Sequence, residues 1–246
     1  KKGKKKMQKV ILAAGKGSRL KTETTNKCLV TVGGKRLIDF SLELGESINA
    51  SEILIIVGYN KEYIMDYVGN SYGGIPVKYV VQTPQKGIAH GIMVASEYIT
   101  EDFFMCLSDE IILAPQIFDC VRFFYEKTAD CVCGIVKDSQ ENIKKTYTID
   151  LDPSNRILDI YEKPTFLFNN FKGTGFCFMS RQILNCLQNL KINSIRQEYE
   201  MGDWIRNAIQ QNYNCYAYEI AQDAFNINTN EELSMINEIL LSGETK

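Results

Sequence analysis

The chain has 246 residues, 45% of them apolar, enough for a sizeable core in one large domain or two small ones. Its 28 basic and 30 acidic residues leave a net charge of −2, so nothing in the whole-chain charge favours nucleic acid or an anionic membrane. Eight cysteines without a Cys-x-x-Cys pair, no secretory segment and no membrane-spanning apolar run argue against a disulfide framework, a zinc site or a membrane protein. The expectation is reduced core thiols in a cytoplasmic protein.

Residues 1–6, KKGKKK, read as a disordered basic tail or cloning remnant before a start at Met7, leaving one domain over 7–246. Apolar β-branched runs then alternate with helix-period segments. Strands are expected at 9–14, 52–59, 77–82 and 102–110, the last ending in acids, and helices at 36–47, 61–69 and 87–99. This alternation predicts a parallel sheet covered on both faces, with ligands at the carboxyl ends of its strands. From about 130 the rhythm shifts to shorter strands, ADCVCGIV, TYTIDLD, RILDIYEKP and GTGFCFMS, then helices near 181–190 and 198–211. A strand at 214–220 and a helix from about 230 close the chain. The expected architecture is a single-domain α/β, Rossmann-like three-layer sandwich. Its central sheet is mixed but mainly parallel, with a small antiparallel sub-lobe. Cys131 and Cys133 alternate along a strand and face the same way, with nothing nearby to complete a metal set.

The first strand runs into LAAGKGSRLKTETTNK, residues 12–27, a glycine-rich basic loop. A dinucleotide fingerprint needs a third glycine where Leu20 stands, and a P-loop needs four residues between its glycines followed by Lys-Ser/Thr. Both frames fail. Successive small residues nevertheless expose backbone N–H groups that form an anion-binding concavity, with Arg19 and Lys27 as added charges.

This segment resembles the signature of the sugar-1-phosphate nucleotidyltransferase superfamily, L-A-A/G-G-x-G-T/S-R-L followed by P-K-x-L. Five later segments arrive in the family's order: QTPQKGIAHGI, LSDE, EKP, GTGFCFM and FNINTNEEL. The resemblance implies nucleotide contacts at Leu12, Ala13, Ala14, Gly15, Gly17 and Ser18, with Gln82 and Gly87 reading the base. It implies catalytic cations at Arg19, Lys27 and Lys163, Mg²⁺ held by Asp109 and Asn226, and acceptor contacts at Glu162, Thr174, Gly175 and Thr146. Residues 7–110 would form the nucleotide half and 111–246 the acceptor half.

The implied reaction is attack by an acceptor phosphate oxygen on the α-phosphorus of an NTP, with release of pyrophosphate. CTP, UTP or dTTP is the expected donor and a sugar 1-phosphate the first acceptor. A phosphate dianion needs no general base, which suits a chain whose one histidine is His90. The partners would be an NTP and a phosphorylated small molecule, not nucleic acid or membrane, for a monomer or homodimer.

Blander readings stand beside these. Asp109 can cap a following helix, Glu110 can face solvent, Lys163 can be a surface lysine, His90 reads as structural or a bystander on an amphipathic helix, and Trp204 reads as core. Three departures from the family pattern matter. Asn26 stands where proline is usual and is expected to loosen the turn before Lys27. Asn226 replaces an aspartate. Thr146 replaces a glycine that admits a hexose, which leaves phosphocholine, a phosphoamino acid or a phosphonate as alternative acceptors. A catalytically silent nucleotide-binding module and, more distantly, a dinucleotide-dependent oxidoreductase are the competing classes.

Overall fold

The structure is a computed structural model that describes residues 6–17, 20, 26–48 and 50–242. All but Lys6 of the basic segment 1–6 lies outside these residues, as do Ser18 and Arg19.

Strand β1 (Gln8–Ala13) is followed by a 3-10 turn (Lys27–Leu29), the hairpin β2 (Thr31–Val32) and β3 (Lys35–Arg36), and helix α1 (Leu37–Ile48). Next come β4 (Ile53–Val57), α2 (Lys61–Val68), β5 (Ser71–Tyr72), β6 (Ile75–Val81), α3 (Ile88–Ala95) and β7 (Phe103–Leu107). The second half holds β8 (Glu110–Ile112), α4 (Ile117–Glu126), β9 (Cys131–Lys137), α5 (Gln140–Ile143), β10 (Tyr147–Leu151), β11 (Ile157–Glu162) and β12 (Phe171–Met179). A 3-10 helix (Arg181–Leu187), α6 (Met201–Gln210), β13 (Cys215–Glu219), β14 (Ala224–Asn226) and α7 (Asn230–Ser242) complete it.

Eight strands form one sheet in the order β13-β9-β12-β7-β1-β4-β6-β5. β1 pairs in parallel with β4 and β7, as do β4 with β6 and β13 with β9, whereas β12 runs antiparallel to both its neighbours. Period-two alternation sorts the strand side chains into two cores. Val10, Leu54, Ile56, Phe103 and Met105 pack against α3 and α6, while Ile11, Ile53, Ile55, Phe104 and Cys106 pack against α1, α2 and α4. Each fully buried isoleucine of β4 contributes about 2 kcal/mol. The expected three-layer sandwich is therefore observed, with β10–β11 as the antiparallel sub-lobe.

Four expectations change in detail. The strand foreseen at 102–110 ends at Leu107, and after a turn at Ser108–Asp109 the chain enters β8, which pairs antiparallel with β14 in a separate ribbon. That ribbon covers a third core of Ile111, Ile227, Leu37 and Ile236. Helix α4, not anticipated, buries Ile117, Cys120 and Phe124 along one face. The helix expected over 87–99 stops at Ala95 and tightens into a 3-10 turn (Ser96–Tyr98), and the one near 181–190 is 3-10 throughout. All eight cysteines are free and buried, and the Cys131 and Cys133 sulfurs lie 3.6 Å apart on one face of β9.

Register sets the site. Ala13 pairs with Val57 and Leu12 with Leu107, so β1, β4 and β7 end level and their following loops emerge together at the carboxyl edge.

Candidate functional site

Two cavities open at that edge. The first, of about 490 Å³, is lined by Leu12, Ala14, Gly15, Gly17, Lys27, Gln82, Gly87 and Asp109, among others. Ala13 turns its methyl into the opposite core, so it offers no side chain here. Gly17 has φ +61°, and a Cβ there would lie 2.7 Å from the Lys27 Cβ, so only glycine lets the loop pass over this lysine. At Gly15 no heavy atom comes within 4 Å of a Cβ position, leaving bare backbone toward the cavity.

Asn26 does not loosen the turn as expected. It is buried, its Oδ1 accepts from the Cys28 N–H at 2.9 Å, and its Nδ2 donates to the carbonyls of Tyr59 at 3.0 Å and Asn60 at 3.4 Å. It thus caps the 3-10 turn and ties it to the loop after β4, using hydrogen bonds where a proline would use ring rigidity. This fixes Lys27, whose Nζ donates to Asp109 Oδ2 at 2.5 Å and Asn228 Oδ1 at 3.0 Å.

Gln82 follows β6 and is buried; its Nε2 donates to the Gly87 carbonyl at 2.9 Å and contacts His90 Nδ1 at 3.1 Å. Gly87 has φ +93°, and a Cβ there would stand 2.6 Å from the Tyr199 carbonyl oxygen. Tyr199 clamps this loop: its N–H donates to Lys86 O at 2.7 Å, its carbonyl accepts from Ala89 N at 3.1 Å, and its ring stacks on His90 with centroids 5.9 Å apart. These contacts make His90 structural, one of the two readings the sequence allows, rather than a bystander.

The second cavity, of about 320 Å³, is lined by Thr146, Glu162, Lys163, Thr174, Gly175, Asn226 and further residues. Lys163 holds the left-handed φ of +43°, and its N–H donates to the Thr146 carbonyl at 2.6 Å. A strained conformation pinned by a hydrogen bond directs this lysine from the end of β11. The Thr174 hydroxyl donates to Gly134 O at 2.8 Å, so it serves the β9–β12 pairing. Gly175 is required by contact, since a Cβ there would fall 2.1 Å from Leu107 Cγ. Glu162 accepts from the Gly202 N–H at 3.2 Å; burial, reinforced by the Glu200 charge, raises its pKa from the ordinary 4.5 to about 7.

Glu110 does not face solvent. It is buried, with Oε2 accepting from Gly175 N at 2.8 Å and Oε1 from Asn226 Nδ2 at 3.4 Å, and burial lifts its pKa to about 7. Asn226 is thus directed at Glu110, whereas the asparagine beside Asp109 is Asn228. Nor can Asp109 cap a helix, because β8 follows it. Lys172, buried in β12, pairs with Asp138 at 2.5 Å.

The cavities share Ile88, Leu107, Asp109, Glu198 and Asn228. At this shared wall the Asp109 carboxylate and the Asn228 side-chain oxygen already converge on one cation, the Lys27 ammonium. Two hard oxygen donors facing both cavities fit the Mg²⁺ that the family resemblance implies, since Mg²⁺ takes few protein ligands and completes its shell with phosphate and water. Among the described residues no cluster of three or more His, Cys, Asp or Glu side chains forms a metal site, so a protein-only cage is not the arrangement present there.

Leu12, Ala14, Gly15, Gly17, Lys27, Gln82 and Gly87 are thus brought together on one side, and Glu162, Lys163, Thr146, Thr174 and Gly175 on the other, with Asp109 between. Sequence reasoning missed Asn228, Glu198, Tyr199 and Lys172. Asn228 lies two residues beyond Asn226 in the same motif, where the resemblance puts the metal ligand at Asn226 instead. Lys172 had a signal, a charge inside an apolar strand; Glu198 and Tyr199 had none.

Among the described residues no helix is long and apolar enough to cross a membrane. The nucleotidyl transferase family profile matches residues 8–224. UTP–glucose-1-phosphate uridylyltransferase AglF of Haloferax volcanii is 32% identical over 201 residues, covering 81% of this chain and 82% of AglF. The bifunctional protein GlmU of Methanococcus maripaludis is 27% identical over 208 residues, 83% of this chain but 47% of GlmU, so the chain spans about half that relative's length. The solved structure of UDP-glucose pyrophosphorylase complexed with UDP-glucose superposes with a TM-score of 0.86 at 19% identity, covering 97% of this chain and all of that one, a likeness of fold. Extended match, ordered motifs and fold agree: the chain belongs to the nucleotidyltransferase family, within the sugar-1-phosphate nucleotidyltransferase superfamily.

Proposed function

We propose that this protein transfers a nucleoside monophosphate from UTP or dTTP to a sugar 1-phosphate, releasing pyrophosphate. The observation that carries the reading is the meeting of two cavities at Asp109, one walled by the glycine loop and one by Lys163 and the buried acids. The likeness to AglF supports UTP and a hexose phosphate as the starting pair.

The NTP would lie in the first cavity with its phosphates along the backbone of Ala14–Gly17 and its base at Gln82 and Gly87. Lys27, reaching the shared wall, would balance charge on the phosphates. Arg19 is proposed as a second phosphate contact. The acceptor's phosphate would meet Lys163, with Glu162 accepting from its hydroxyls, placing a phosphate oxygen beside the α-phosphorus for in-line attack. An oxygen of the acceptor phosphate forms the new P–O bond, and the bond from the α-phosphorus to the pyrophosphate oxygen breaks. Mg²⁺ held by Asp109 and Asn228 would supply neutralisation of phosphate charge at the wall the cavities share.

Thr146 lines the second cavity and its backbone carbonyl accepts from the Lys163 N–H, so the acceptor panel below decides between a hexose and a smaller phosphate. The test is a matrix of UTP, dTTP, CTP and ATP against hexose 1-phosphates, phosphocholine and a phosphonate, scored by pyrophosphate release with and without Mg²⁺. The strongest signal is expected for UTP or dTTP with a hexose 1-phosphate and Mg²⁺. Release with phosphocholine or a phosphonate alone would replace the acceptor, and no release from any pair would overturn the reading.

A further inference from the structure

The hydrogen bonds around Gln82 leave one arrangement of its amide. A carbonyl oxygen is only an acceptor, so the group 2.9 Å from Gly87 O is the NH₂ of Gln82. The same nitrogen lies 3.1 Å from His90 Nδ1. With one N–H given to Gly87, the other meets the imidazole, and Nδ1 must accept it. His90 is then neutral with its proton on Nε2, in keeping with a pKa lowered by burial and by the nearby Lys86 charge.

Both N–H groups of Gln82 are thereby taken up. Among the described residues no donor reaches Oε1, which lies 3.4 Å from the position a Gly91 Cβ would take, so the hydrogen-bonding capacity left to Gln82 is that of an acceptor. Gln82 lines the first cavity, and the group it presents there is an acceptor. The Tyr199 ring, stacked on His90 at 20°, holds the imidazole in place, while its backbone fixes the Gly87 loop.

We propose that His90 is a positioning residue for base selection: by accepting the second Gln82 N–H it keeps Oε1 toward the base, favouring uracil or thymine over cytosine. Uracil and thymine carry N3–H, a donor that matches Oε1. Cytosine in the same pose sets its bare N3, an acceptor, against Oε1 and must shift to bring its N4 amino donor there instead. The inference rests on the proposed placement of the nucleotide in this cavity. His90 need not touch the nucleotide; it acts through Gln82.

The test compares kcat/KM for UTP and CTP with a fixed hexose 1-phosphate in the wild type, His90→Phe, His90→Asn and Gln82→Ala. Phenylalanine keeps a ring to stack on Tyr199 but removes the acceptor, freeing one amide N–H to turn toward the base. The UTP preference is expected to fall about tenfold in His90→Phe, mostly through a higher KM for UTP, and to recover in part in His90→Asn, whose side-chain oxygen can accept. Thermal unfolding of each variant separates this from misfolding, and His90→Leu, which also removes the acceptor, is the second variant should the phenylalanine fail to fold. An unchanged UTP/CTP ratio in folded His90→Phe, with the ratio lost in Gln82→Ala, would overturn the role of His90 and leave the transferase reading intact. A wild type that prefers CTP would also overturn the inference. If Gln82→Ala leaves nucleotide choice unchanged, the placement of the base itself fails.

Discussion

The two cavities are built by different means. The one under the β1 loop has a wall made by one continuous stretch of chain, Ala14–Gly17, where Gly15 and Gly17 leave backbone bare, and the Gly87 turn faces it. The one beside β12 is a cluster of side chains from β8, β11, β12, β14 and the 198–201 stretch, with Glu110 and Lys172 buried and held by partners. A local loop can make the first because successive N–H groups need only neighbouring residues. The second exists only when sheet order brings remote strands together. Asp109 belongs to both.

That division can be broken most sharply at the shared wall. Asp109→Ala should lower pyrophosphate release by on the order of 10³-fold and disturb the KM of both substrates, because it removes the carboxylate that faces both cavities. A change in one KM alone would assign Asp109 to one side. Lys163→Gln should act on the acceptor side only, reducing kcat/KM for the sugar phosphate by about 10²-fold through loss of one charge-assisted contact while KM for the NTP holds.

Gly87→Ala is the mirror experiment. With φ +93° and a Cβ position 2.6 Å from Tyr199 O, alanine must displace the loop. KM for the NTP should rise about tenfold with little change in KM for the acceptor. An equal rise in both would show that Tyr199, which lines the second cavity, couples the two sides.

The remaining effect is on stability and its pH dependence and not on rate. Glu162 titrates at about 7 in the folded chain against an ordinary 4.5, so folding favours its protonated form. Its contribution is fully present below about pH 4.5 and is lost as pH rises through 7. Denaturant midpoints should therefore fall between pH 5 and 8 by more in the wild type than in Glu162→Gln, by up to about 3 kcal/mol. Parallel pH profiles would show that Glu162 is solvated.

The first-cavity residues were legible in the sequence because their signals are local: a strand, a loop of small residues, then a glutamine with a glycine five residues on. Even there the turn before Lys27 was misread, since Asn26 gains its strength from carbonyls at Tyr59 and Asn60, more than thirty residues away. In the second cavity Glu162, Lys163, Thr174 and Gly175 are legible through motifs, but the sequence leaves Glu110 free to face solvent. Its burial depends on β8 leaving the main sheet to pair with β14, over a hundred residues later, a pairing with no local signature.

The sequence by itself determined the alternation that makes a layered α/β sheet, the loop too irregular for a dinucleotide fingerprint, and the ordered motifs that point to the family. These follow from periodicity and from steric demands within a few residues. Tertiary structure alone decided that Asn228 rather than Asn226 stands beside Asp109, that Glu110 is a buried acid, and that His90 holds Gln82. Each of these is a choice of hydrogen-bond partner. Such a choice is made by the register of strands and the docking of the 198–199 segment, where burial limits a polar group to the few neighbours the fold brings to it.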